Sequence, residues 1–245
     1  HKPSELTPIT SNLMKELCDS AFDETEFATF LGGPETGSAF TQLNFDHLLY
    51  TGGGKVAKYV MEGAAKNLVP VTLELGGKSP VILGESANLK AAAKRVMFGK
   101  TLNAGQICLA PDYVMVHKSK KDEFVESVKE AVSEYYPAIK DNDDYTSIIN
   151  QNHYDRLQGL IEDAKNKGAN VEVINPSNED FSQQEFFKIP PTLITNVNSD
   201  MEVMKEEIFG PILPIKEYDT LEETIDYVNS KDKPLGLYYF GTNKK

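Results

Sequence analysis

"DHLLYTGGGKVAKYVMEGAA", residues 46–65, reads as a short apolar strand that runs into three consecutive glycines and then into helical spacing at Val56, Val60, Met61, Ala64 and Ala65. Strand, Gly-rich turn and helix in succession give the rhythm of a βαβ unit. That unit belongs to an open, mostly parallel sheet, in which a ligand sits at the carboxyl ends of the strands. The turn offers backbone N–H groups and the positive end of a helix to a phosphate. Turns of this kind also occur for steric reasons alone, and the dinucleotide fingerprint G-x-G-x-x-G is incomplete, because Ala57 stands at its last position.

Upstream, "SNLMKELCDSAF" (11–22) has a helical period at Leu13, Met14, Leu17, Cys18 and Ala21, which puts Cys18 in the core, and "EFATFLGG" (26–33) is a further short apolar run ending in glycine. Downstream, "VTLELGGKSPVIL" (71–83) gives two apolar stretches hinged at Gly76-Gly77. The hinge is where the chain leaves one domain, residues 1–77, for another, residues 78–245. In the second part Leu89, Ala92, Ala93, Val96, Met97 and Leu102 mark a helix that ends near Asn103-Ala104-Gly105, and "DYVMVH" follows as a strand. Further helices are expected around 120–136, 151–168 and 220–230, with strands near 171–174, 192–197, 212–217 and 235–240. "INPSNEDFSQQEFF" (174–187) is polar and turn-rich and reads as a surface loop. The fold class is therefore α/β.

The 245 residues carry 40% hydrophobic and 25% charged residues, the balance of an ordinary globular protein, and no apolar run approaches the roughly 18–20 residues of a membrane span. A net charge of −12 argues against binding nucleic acid, which needs a basic face. The two cysteines form no C-x-x-C pair and read as reduced thiols, with the cytoplasm as the default compartment. The chain opens at "HKPSEL" without Met and stops just after a strand-like run, so it reads as an internal piece of a longer protein.

Cys108 lies in the connection "TLNAGQICLAP" (101–111), between helix and strand. Free cysteine commonly packs as a small hydrophobe. Here Gly105 permits close backbone approach and Pro111 fixes the exit, so the turn can set N–H groups beside a thiolate, as an oxyanion hole requires. The preceding helix ends with its negative pole toward the thiol, so activation has to come from a base or a bound cation. Glu74 interrupts Val71, Leu73 and Leu75; it is an outward-facing strand residue or, in apolar surroundings, an acid with raised pKa able to serve as general base. His47, His117 and His153 lack metal-ligand spacing, and no metal is expected.

"KPSE", "YTGGG", "VTLELGGKSP", "NAGQICLAPDYV" and "EEIFGPILPI" occur in this order, and together they resemble the aldehyde dehydrogenase superfamily. Glu74 and Cys108 stand 34 positions apart, as that family's glutamate and cysteine do. "DHLLYTG", "CLAPDYV" and "KPLGLYYF" look most like the branch of class 3, fatty aldehyde and coniferyl aldehyde dehydrogenases. The resemblance implies an open Rossmann-type nucleotide-binding sheet plus an α/β catalytic domain, both incomplete. It implies oxidation of an aldehyde with NAD or NADP, Cys108 as nucleophile and Glu74 as general base. It places Lys2 and Glu5 at the adenosine ribose, Gly52, Gly53 and Gly54 at the pyrophosphate, Leu75 and Gly76 along the cofactor, Glu207 at the nicotinamide ribose and Phe209 near the nicotinamide ring.

Two positions depart from the family pattern. Gly53 replaces a common Ser, leaving backbone donors alone for phosphate, and Ala57 replaces the usual Gly of the following helix. The family's side-chain oxyanion donor, an Asn, and its dimerising tail fall outside these residues; the full-length protein is expected to be a homodimer or homotetramer. Two other classes stay open. A cofactor-independent cysteine acyltransferase or thioesterase has no use for Lys2, Glu5, Glu207 or Phe209, and a non-catalytic fragment carries an unreactive Cys108.

Overall fold

The computed structural model describes residues 1–242, which divide into two compact units, His1–Leu75 and the residues from Gly76 onward. The first contains α1 (Pro8–Ala21), α2 (Pro34–Phe40), β1 (Leu48–Gly52), α3 (Gly54–Ala65) and β2 (Val71–Leu75). β1 and β2 pair in parallel, Leu48 opposite Val71 through Gly52 opposite Leu75. Their inner face and α3 bury Leu48, Val60, Ala64 and Val69, with Phe40, Phe45 and Tyr50 packed alongside. The buried stripe of α3 is Ala57, Val60, Gly63 and Ala64, whereas Val56 and Met61 are exposed.

Two expectations fail in this unit. Residues 26–33 form no strand, because the segment finds little to pair with: Phe30 N–H donates to His1 O at 2.8 Å and the His1 backbone nitrogen donates to Ala28 O at 2.7 Å. A strand needs a continuous ladder of partners. Cys18 is half-buried rather than core, and α1 buries Ser11 alone while Leu13 and Leu17 stay exposed, since nothing among the described residues covers the helix's apolar face.

The second unit contains β3 (Pro80–Leu83), α4 (Leu89–Thr101), β4 (Tyr113–His117), α5 (Lys121–Tyr135), α6 (Gln151–Asn166), β5 (Asn170–Val173), β6 (Thr192–Thr195), β7 (Ile212–Tyr218), α7 (Leu221–Asn229) and β8 (Tyr238–Phe240). The strands form one sheet in the order β5-β6-β7-β4-β3-β8, parallel except for the antiparallel β5/β6 pair. β4 reads as a continuous apolar run because both of its faces are covered. Val114 and Val116 point to a core shared with α4 and α5, where Val96, Met97, Phe124 and Val128 are fully buried, and Tyr113 and Met115 point to one shared with Leu157 and Ile161 of α6 and with Met204 and Ile208. Truncating Phe124, which has no exposed surface, costs about 3–5 kcal/mol at such a site. α4 starts on Asn88, whose side chain accepts the N–H of Ala91 at 3.0 Å.

Candidate active site

Parallel register fixes where the candidate residues gather. In the second unit the segments 76–79, 106–112 and 206–211 each enter a strand, β3, β4 and β7 respectively, so they lie side by side at the amino ends of adjacent strands. In the first unit Gly52–Gly54 leave β1 and Leu75 closes β2, at the carboxyl ends. The carboxyl-end rule read from the sequence therefore describes only the first unit.

Cys108 sits half-buried in a tight turn closed by Ala110 N–H to Ile107 O at 2.9 Å. The chain reaches it through three successive left-handed residues, Asn103 and Ala104 at φ 51° and Gly105 at φ 76°. Such φ values suit glycine and are uphill for alanine by roughly 1–2 kcal/mol, so the surroundings hold the turn in place. The Gln106 side chain donates to Asn103 O and Ser147 O, both at 3.1 Å, and accepts the N–H of Ile149 at 3.0 Å. On the other side Tyr238 Oη donates to Leu109 O at 2.6 Å. The tyrosine hydroxyl is held above its ordinary pKa by burial first and by the nearby Cys108 second, so it remains a donor at neutral pH.

Glu207 is half-buried directly above Gly76: a Cβ there would stand 2.0 Å from Glu207 Oε1. Gly77 N–H donates to the Glu207 carboxylate, whose pKa is nonetheless raised, first by burial and also by the charge of Asp112. Phe209 follows with φ 49° and is 36% exposed. Three charged side chains hold the backbone of this loop. Lys78 Nζ is paired with Asp112 Oδ1 and donates to Val203 O and Glu206 O at 2.8 Å each. Asp112 Oδ2 accepts Ile208 N–H at 2.9 Å. Arg156 donates to Ile208 O at 2.6 Å and to Glu207 O at 3.5 Å.

In the first unit Lys2 Nζ pairs with Glu5 Oε2 at 2.9 Å and also donates to Pro3 O at 2.9 Å. The lysine's hydrogen bond is the main reason that Glu5 titrates below the usual carboxylate range. Gly53 caps α3 with extended backbone and no side-chain bond, and a Cβ on Gly53 or Gly54 would meet open space. The N–H groups of that first turn can thus reach an anion. Glu74, opposite Thr51 in the β1/β2 ladder, is exposed on the face turned away from α3. Of the two readings that the sequence leaves open, this is the outward-facing strand residue: strand alternation puts Val71, Leu73 and Leu75 on the other face.

Sequence reasoning gave no role to Lys78, Lys100, Asp112 or Arg156. Lys100 is fully buried on α4, and burial pulls its pKa down to about 8, partly offset by the charge of Asp112. The one available signal was a charged residue set against apolar runs, Lys78 and Asp112 each standing at a strand entrance. Among the described residues no group of three His, Cys, Asp or Glu could hold a metal ion, and no helix is long and apolar enough to cross a membrane.

Comparison with known proteins identifies the family and the fold. A family model described as the aldehyde dehydrogenase family matches residues 1–245. A probable coniferyl aldehyde dehydrogenase of Caulobacter vibrioides is 60% identical over 243 residues, covering 99% of this chain and 50% of the relative. A coniferyl aldehyde dehydrogenase of Pseudomonas sp. is 55% identical over 240 residues, with 98% and 50% covered. The chain thus spans about half the length of the curated relatives it matches. Among solved structures, the substrate-bound state of Staphylococcus aureus AldH superposes with a TM-score of 0.90 at 42% identity, covering 99% of this chain and 52% of that one. Betaine aldehyde dehydrogenase from the same organism, in complex with NAD+, does so with a TM-score of 0.88 at 28% identity, covering 99% and 49%.

Proposed function

The chain belongs to the aldehyde dehydrogenase family, and from that premise we propose that the full-length protein oxidises an aldehyde to the carboxylic acid with NAD or NADP. The substrate is an aromatic aldehyde such as coniferyl aldehyde, which the names of similar relatives favour, or a medium to long aliphatic one. The observation that carries the reading is the strained turn that holds Cys108 beside the clamped loop of Glu207 and Phe209.

The residues present fit a dinucleotide. The α3 N-terminus has N–H groups and open space at Gly53 and Gly54, and Gly76 is bare of a Cβ just where the Glu207 carboxylate approaches. Residues 1–77 then form the nucleotide-binding part and 78–245 the catalytic part. Lys2 and Glu5 hold the adenosine ribose, Gly52–Gly54 the pyrophosphate, Glu207 the nicotinamide ribose and Phe209 the ring, with Leu75 and Gly76 as further cofactor contacts. When bound, the nicotinamide accepts the hydride released in the reaction.

Cys108 Sγ bonds to the aldehyde carbon and makes it tetrahedral, and the Cys108 N–H donates to the oxyanion. An aldehyde carbon releases hydride readily only from this thiohemiacetal. Loss of hydride leaves a thioester on Cys108. Glu74, exposed and able to meet water, takes a proton from the water that attacks the thioester, and the acid departs as Cys108 is restored. The protein works in the cytoplasm as a homodimer or homotetramer.

The test is a panel of aromatic and aliphatic aldehydes with the full-length protein and either cofactor, following the absorbance of reduced nicotinamide. Turnover that disappears on Cys108→Ala is the expected result. No reduced cofactor from any aldehyde, with Cys108 inert to iodoacetamide, would overturn the reading.

A further inference from the structure

We propose that Lys78, Asp112 and Arg156 are positioning residues for cofactor binding, which set the Glu207 carboxylate above Gly76 and fix its spacing from Cys108. The inference rests on the reading of Glu207 as the ribose acceptor. The three side chains come from different places: the entrance to β3, the entrance to β4 four residues past Cys108, and α6. They converge on one short loop. Between Val203 and Ile208 they engage the carbonyls of Val203, Glu206, Glu207 and Ile208 and the N–H of Ile208.

The stoichiometry of the clamp is complete. The Lys78 ammonium has three donors and three acceptors, and each Asp112 oxygen has one donor. Asp112 is buried and Lys78 mostly so, and a buried ion pair is weak evidence for stability, because desolvation offsets most of the attraction. Its value lies in direction. Asp112 N–H also donates to Ser79 O at 2.9 Å, so this residue ties the β3 entrance, the Cys108 turn and the Glu207 loop to one another. With backbone bonds on both sides of Glu207 and Phe209 held at φ 49°, the carboxylate has little freedom except over Gly76 and Gly77. A loop held this way meets a ribose already ordered, and binding avoids the cost of ordering it.

Asp112→Asn is the isosteric test. One carboxylate oxygen becomes an NH2, which must face either the Lys78 ammonium or the Ile208 N–H, and both are donors. In the full-length enzyme, calorimetric titration with NAD+ is expected to show binding weakened by about tenfold or more, the scale of a lost bond to a charged group. The rate of Cys108 alkylation by iodoacetamide, which needs no cofactor, is expected to change by less than about threefold. Arg156→Lys, which keeps the charge but loses the paired donors, gives the same split in case the asparagine variant does not fold. Glu207→Gln is the control: if it leaves NAD+ affinity unchanged, the ribose reading itself fails. If Glu207→Gln weakens binding while Asp112→Asn and Arg156→Lys lower only the melting temperature, the clamp is merely structural and the proposal is overturned.

Discussion

The backbone of Gly105 packs directly on that of Gly210: a Cβ added to Gly105 would lie 2.4 Å from the Gly210 carbonyl oxygen. The contact joins the turn before Cys108 to the residue after Phe209. Gly105→Ala therefore meets backbone, which cannot move aside as a side-chain tip can, and it also has to adopt φ 76°. We expect a loss of about 2–4 kcal/mol, read as a lower urea midpoint, together with slower alkylation of Cys108. An alanine variant with unchanged midpoint and thiol reactivity would show that the two segments separate easily.

Cys108→Ser and Glu74→Gln divide the proposed chemistry. The serine variant lacks a nucleophile that ionises near neutral pH, so no reduced cofactor is expected even in a single turnover. The glutamine variant keeps its shape and loses a base, which slows thioester hydrolysis by about 10²–10⁴-fold. Rapid mixing is expected to record a burst of reduced cofactor near one equivalent per site, then a slow steady rate, with acyl mass on Cys108. A missing burst would assign Glu74 to thiol activation instead. A normal steady rate would remove it from the mechanism.

If Lys2 and Glu5 hold the adenosine ribose as proposed, cofactor choice turns on that pair. Lys2 favours a 2′-phosphate and Glu5 repels it, so both NAD and NADP are expected to serve. Because Glu5 is held ionised by the lysine, the repulsion persists well below neutral pH. Glu5→Gln is expected to raise the NADP-to-NAD ratio of kcat/KM by about fivefold, the effect of ~1 kcal/mol at a partly exposed charge. An unchanged ratio would place the ribose elsewhere.

Lys100 gives the fold a pH dependence of known sign. Folded, its ammonium loses its proton at about 8; unfolded, it keeps the proton to about 10.4. Between those limits the unfolded chain binds more protons, so stability rises with pH, and below the lower limit the penalty of burying the charge is fully present. The charged groups facing Lys100 are Asp112, Lys78 and Glu207. Lys100→Met is expected to raise stability at about pH 7 by on the order of a few kcal/mol and to flatten the rise above pH 8. Urea midpoints on either side of that window decide the matter. A less stable methionine variant would mean that the ammonium is required by its acidic neighbours.

The sequence made the regular elements of the second unit legible because covered strands and amphipathic helices carry strong patterns. β4 and α4 fall within a residue or two of their expected limits. α2 went unread because seven residues including Gly37 give too short a period, and the run 26–33 has strand composition without a ladder. Asp112 looked like an ordinary turn residue before a strand; its partner, Ile208, is 96 positions away, and only the parallel sheet brings them together. The left-handed φ of Ala104 had no signal at all, since alanine announces no such preference.

The contacts that support the Cys108 turn also set a schedule. Leu109 receives its hydrogen bond from Tyr238, 129 positions later, and Lys78 reaches Glu206 across 128. At about 5–20 residues per second during synthesis, Tyr238 is made roughly ten seconds after Leu109. Through that interval the nascent chain carries Cys108 in a turn not yet braced by β8, the strand that pairs with β3. Amide exchange along Val81–Leu83, the partners of β8, therefore reports how often the Cys108 turn is momentarily unbraced.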